Sequence, residues 1–125
     1  MISRASKDIH TMTADSLIAF CRDLPSATED IKWGKDLVFS VGKKMFAVFD
    51  RGDNTKVCFK ATPAMFSTMT GKKGIISAPY VGRYNWVLVE DLEVLPREML
   101  EDLISESYRL VASKLPAKLR KSLGL

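Results

Sequence analysis

The chain has 125 residues, 46% of them apolar and 27% charged, with a net charge of +4. That is the length of one domain and the composition of a globular core, which excludes an intrinsically disordered chain and argues against a second domain. No apolar run approaches the roughly 20 residues that span a bilayer, and Met1 to Met12 has no apolar stretch of the kind a secretory signal peptide requires.

The leader, residues 1–12, shows no periodicity and reads as mobile, so one domain is expected over residues 13–125. Thr13 is a suitable N-cap with Asp15 in the first turn, where an acid suits the helix dipole. Leu17, Phe20, Cys21 and Leu24 then recur at helical spacing until Pro25 ends the helix. Residues 26–36 read as a polar connector holding Ile31 and Trp33, with Gly34 at a turn. Leu37 to Val41 and Lys44 to Phe49 flank Gly42-Lys43, a two-residue link of the type II′ kind because Gly takes its first position. The loop from Asp50 to Asn54 returns the chain into Thr55 to Lys60, where Val57 and Phe59 alternate with Lys56, Cys58 and Lys60. These three strands predict an antiparallel meander.

Thr62-Pro63 opens a helix with a capping hydroxyl and a proline at the first helical position, and Gly71 stops it. Ile75 to Tyr80 and Trp86 to Glu90 read as strands on either side of a turn at 81–85. Pro96 begins the longest helix, lined on one face by Leu100, Leu103, Ile104, Ser107, Tyr108 and Val111. Leu115-Pro116 breaks it, and a short basic tail follows. Strands clustered between helices predict an α+β fold, an antiparallel sheet with packed N-terminal and C-terminal helices.

Charge is unevenly spread along the chain. From Lys32 to Arg83 ten Lys/Arg face three Asp, a surplus of seven, whereas seven acids face one Arg from Glu90 to Glu106. Such segregation marks either an anionic partner or two separately solvated faces. The two cysteines, Cys21 and Cys58, are few for a small secreted fold and read as buried thiols in a reducing cytoplasm.

Enzyme templates find little to fit. The one histidine, His10, lies in the leader, so hydroxyl and thiol nucleophiles lack a base. Two distant cysteines do not make a zinc site, and Asp50-x-x-Asp53-Asn54 lacks the EF-hand spacing and is explained by turn chemistry. Gly71-Lys72-Lys73-Gly74 lacks the spacing of a phosphate loop. No catalytic residue, metal or cofactor is expected. The stronger feature is bases interleaved with aromatics: Lys43, Lys44, Lys72, Lys73 and Arg83 beside Tyr84 and Trp86. Lysines neutralise phosphates and aromatics stack on bases, although lysines at hairpin tips also guard sheet edges.

Taken in order, Leu24-Pro25, Trp33-Gly34, Val38-Phe39, Val41-Gly42-Lys43-Lys44-Met45-Phe46-Ala47, Val57-x-Phe59-Lys60, Pro79-Tyr80, Asn85-Trp86 and Ser107-Tyr108 to Lys114-Leu115-Pro116 resemble the MmcQ/YjbR-like family over residues 13 to 121. The resemblance implies the α+β fold above and a double-wing arrangement of hairpins proposed to bind DNA. In this chain that maps to Gly42-Lys43-Lys44 and to residues 72–86. Family members often carry a histidine between Pro79 and Trp86, where this chain reads Tyr80-Val81-Gly82-Arg83-Tyr84-Asn85. A role that depends on that histidine is not expected here.

The leading expectation is a non-catalytic cytoplasmic module that binds DNA with little sequence preference and has no membrane partner. Two rivals stand beside it. One is a small-molecule pocket lined by Trp33, Lys60, Tyr80 and Trp86, in a binding protein or an enzyme with no recognised motif. The other is a protein-interaction surface on the acidic helix from Pro96 to Ser113.

Overall fold

The computed structural model describes residues 14–50, 56–79 and 81–125. The leader with His10, the Thr13 cap, Asp53, Asn54 and Tyr80 lie outside the described residues. The chain opens with helix α1 over residues 14–22. Strands β1 (Thr28–Lys32), β2 (Asp36–Val41), β3 (Lys44–Asp50) and β4 (Val57–Lys60) follow. Helix α2 (Pro63–Thr70), strands β5 (Ile75–Ser77) and β6 (Trp86–Val89), and helices α3 (Arg97–Ser113) and α4 (Ala117–Ser122) complete the chain. The strands form one antiparallel sheet in the order β1-β2-β3-β4-β6-β5, so the fold is α+β as the sequence predicts.

Period-two alternation decides which side of the sheet is covered. Leu37, Phe39, Phe49, Val57, Phe59, Val87 and Val89 are buried on one face, under Leu17 and Cys21 of α1 and Leu100 and Ile104 of α3. Aromatic rings tie this layer together: Phe39 meets Phe49 edge-on at 6.0 Å, and Phe46 meets Tyr108 at 5.3 Å with an interplanar angle of 90°. The Tyr108 hydroxyl donates to the Pro25 carbonyl at 2.6 Å, fixing the exit of α1 against α3. Thr62 caps α2 as expected, accepting from the Met65 amide.

The structure corrects the sequence reading in four places. The connector of residues 26–36 contains β1, whose five residues are all exposed and so show no apolar alternation. Ile31 donates its amide to the Asp30 carboxylate at 2.9 Å, a local bond along this edge strand. The β2–β3 link is a type I′ turn rather than type II′, because Gly42 and Lys43 both have positive φ, 56° and 68°. The strand expected to reach Tyr80 ends at Ser77, and the basic tail contains α4.

A β-bulge lies on β3. Phe39 pairs with Ala47 while Ser40 pairs with Met45, leaving Phe46 as the extra residue. Both Phe46 and Ala47 therefore point into the core, and Met45 is returned to the opposite face. The bulge also leaves the Phe46 carbonyl in need of a donor. Ser107, the one fully buried polar side chain among the described residues, supplies it at 2.7 Å and accepts from the Lys60 amide at 2.9 Å. At the hairpin tip, a Cβ on Gly42 would come within 2.6 Å of Leu115 Cδ1, so this turn is packed against the end of α3.

Cys21 lies in the core, whereas Cys58 alternates with Val57 and Phe59 and lies on the other face of the sheet. Both thiols are free. Burial pushes Cys21 from 9.0 up to about 12 and Cys58 to about 11, with Asp36 and Asp50 adding to the effect on Cys58. Both thiols are thus unreactive near neutrality.

Two outcomes are expected. Ser107→Ala leaves a buried carbonyl and a buried amide without their partner and lowers stability by about 2 kcal/mol, read as a lower urea midpoint. The thiol pKa values are raised in the folded state, so native protein holds protons that unfolded protein releases above pH 9.0. Their stabilising contribution is complete below that pH and is lost as pH rises through about 11 and 12. Urea titrations across this range, compared with Cys58→Ala, show a shallower decline in the variant.

Candidate functional site

The strand register sorts the cations that the sequence singles out. Lys44 pairs with Val41 beside the β2–β3 turn, and Lys60 pairs with Trp86, so the Lys43-Lys44 tip, the end of β4 and the start of β6 share one end of the sheet. Arg83 and Tyr84 lie in the short 3-10 turn Gly82–Tyr84 just before β6, at that same end. Asn85 makes this entry in a left-handed conformation, φ 68°, which its short amide side chain tolerates. The Arg83 guanidinium stacks on the Tyr84 ring at 4.9 Å, and both side chains are exposed.

Lys72 and Lys73 are elsewhere. They precede Ile75, which pairs with Val89, and the Gly74 carbonyl accepts from the Glu90 amide at 2.8 Å. This is the opposite end of the sheet, where Asp36, Asp50 and Glu90 sit among the lysines and Lys35 lies 3.7 Å from Asp50. The structure therefore brings Lys43, Lys44, Arg83, Tyr84 and Trp86 together and separates Lys72 and Lys73 from them. The hairpin tip is not a free wing, since Leu115 packs on Gly42.

Lys114, at the C-cap of α3, joins the first group. It was not among the predicted site residues. Its placement depends on how α3 docks through Ser107 and Leu115, and no local pattern reveals that. Lys44, Lys60 and Lys114 converge on a cleft of about 310 Å³ closed by Met45, Trp86 and Pro116. Burial holds the Lys60 ammonium below the ordinary lysine value, and the neighbouring Lys114 ammonium lowers it further. Among the described residues, none of Lys43, Lys44, Lys60, Arg83 and Lys114 pairs with a carboxylate.

On the sheet face away from the helices, Trp33, Asp36, Val48 and Cys58 line a groove of about 480 Å³. Ala78, Pro79 and Val81 border its far side, and Met45 and Trp86 close its end, so groove and cleft share a wall. Of the predicted pocket residues, Trp33 and Trp86 line the groove, Lys60 lines the cleft, and Tyr80 lies outside the described residues. Trp86 is only 7% exposed and serves as wall, whereas Trp33 is 66% exposed at the β1–β2 turn. Met45 and Cys58 were missed as lining residues. Cys58 is two residues from Lys60 and so shares its face, a signal the alternation already carries.

Among the described residues no group of three or more His, Cys, Asp or Glu is placed to hold a metal ion, and no helix is long and apolar enough to cross a membrane.

A search of curated proteins finds no match. Among solved structures, a Deinococcus radiodurans protein with domain DUF419 is similar over 89% of this chain and 87% of its own, with 30% identity and a TM-score of 0.80. A Pseudomonas syringae protein is similar over 78% of this chain and 97% of its own, with 19% identity and a TM-score of 0.63, a likeness of fold alone. The family model described as YjbR matches residues 22–110. With that match and the shared six-stranded antiparallel architecture, the chain belongs to the YjbR family.

Proposed function

We propose that the chain is a non-catalytic cytoplasmic module that binds nucleic acid through the phosphate backbone, using the basic end of its sheet. The observation that carries this reading is the convergence of Lys43, Lys44, Lys60, Arg83 and Lys114 from four parts of the chain. None of them is paired with a carboxylate among the described residues. Cations kept without acidic neighbours repel one another, and a polyanion relieves that repulsion while releasing its counterions. Tyr84, 51% exposed and already stacked on Arg83, offers a flat surface to a base.

Little sequence preference is expected. Helices α1 and α3 are packed on the covered face of the sheet, so neither is free to enter a major groove, and exposed lysines contact phosphates rather than base edges. The two free thiols suit a reducing compartment.

Fluorescence anisotropy of labelled duplex and single-stranded DNA, titrated at several salt concentrations, tests the reading. Binding with a steep negative salt dependence is expected. Lys43→Ala, Lys44→Ala and Arg83→Ala each weaken it for every sequence tried, and on duplex each lost phosphate contact lowers the salt slope by about 0.9. The pair Lys72→Ala and Lys73→Ala, at the other end of the sheet, leaves affinity unchanged. Absence of binding at low salt, or equal losses from both sets of variants, overturns the proposed surface.

A further inference from the structure

Cleft and groove meet at Met45 and Trp86, and the chemistry changes where they meet. On one side are three ammonium groups, and on the other a trough whose exposed walls are largely apolar, Trp33, Val48 and Pro79 among them. We propose that the two form one continuous site for a small amphipathic anion. Its carboxylate or phosphate is held by Lys44, Lys60 and Lys114, and its planar apolar body passes Trp86 toward Trp33. This goes beyond the nucleic-acid reading: it shares Lys44, Lys60 and Lys114 with that surface, but adds the groove running to Trp33 and does without Lys43 and Arg83.

Four features support it. The cavities are of a size that encloses small molecules, and they combine an apolar lining with a few convergent polar groups. The charges that converge on the cleft are all positive, so the head group placed there is an anion, while Asp36 lies along the groove away from the three ammonium groups. Burial and the neighbouring Lys114 ammonium disfavour the charge of Lys60, and an anionic oxygen beside it offsets that cost. Finally, Trp33 has a backbone φ of 52° while the residue is 66% exposed. A large side chain held in the left-handed region and left in water gains little from folding. An apolar ligand laid against the ring covers it.

The test uses three probes with one ring system: 1-naphthoate, 1-naphthyl phosphate and the neutral 1-naphthalenemethanol. Binding is followed by tryptophan fluorescence, since Trp33 and Trp86 both line the groove. At least one anion is expected to bind about tenfold more tightly than the alcohol, as for a charge-assisted contact. Whichever anion binds better identifies the head group.

Lys60→Gln and the more exposed alternative Lys114→Gln each remove most of the advantage of the anion over the alcohol. Trp33→Asn, which suits the left-handed backbone, weakens all three probes and leaves DNA affinity unchanged. Lys43→Ala does the reverse, so failure of this site and failure of the nucleic-acid surface are distinguishable. Equal affinity for alcohol and anions, no change in tryptophan fluorescence with any probe, or indifference to Lys60→Gln and Lys114→Gln overturns the proposal.

Discussion

The Ser107 hydroxyl is the point on which this structure turns. It donates to the Phe46 carbonyl and accepts from the Lys60 amide, so one buried oxygen joins α3 to β3 and β4. The β-bulge at Phe46 makes that bond necessary, and the bond in turn keeps the bulge from leaving a bare carbonyl in the core. An apolar residue at position 107 packs against the sheet but satisfies neither group. The bulge also reverses the facing of the chain, so that Phe46 and Ala47 are both inward and Met45 faces out. Met45 then helps to wall both the cleft and the groove. A single inserted residue therefore sets the core, the docking of α3 and the shape of the surface beyond it.

Docking α3 in this way carries Lys114 to the β2–β3 hairpin, where Leu115 packs on Gly42. The glycine is required twice, for its positive φ and for the close approach of the leucine side chain. Cations distant in sequence thereby gather at one end of the sheet, while Lys35, at the other end, lies near Asp50. The difference between a mixed-charge end and an unpaired basic end comes from strand register. A net charge of +4 conveys little of it.

Much of this architecture was legible in the residues. Val57 and Phe59 alternating with Cys58 and Lys60 marked β4, and the stripe from Leu100 to Val111 marked α3, because a half-buried strand and an amphipathic helix impose periods of two and 3.6. Thr62-Pro63 marked the start of α2 through capping. β1 was hidden because Thr28–Lys32 buries neither face and so has no apolar period. The turn type was misread because Lys43 takes the left-handed conformation that Gly or Asn usually supplies. At the site, the bases and aromatics were visible, but their grouping was not. Lys72 and Lys114 look alike as lysines beside a helix end, and only pairing and helix docking place one far from the cleft and the other within it.

The edge strand β1 limits how far the sheet extends. Two copies meeting there in the centred antiparallel register place Thr28 opposite Lys32, Glu29 opposite Ile31, and Asp30 opposite its own counterpart. Like charges facing directly across a strand pair destabilise it. The Asp30 carboxylate also occupies the Ile31 amide, a donor at the middle of the strand. At the other edge β5 has only three residues, too few for a long ladder. One aspartate thus acts twice, by repulsion and by taking up a donor, to oppose the joining of two sheets into a twelve-stranded whole.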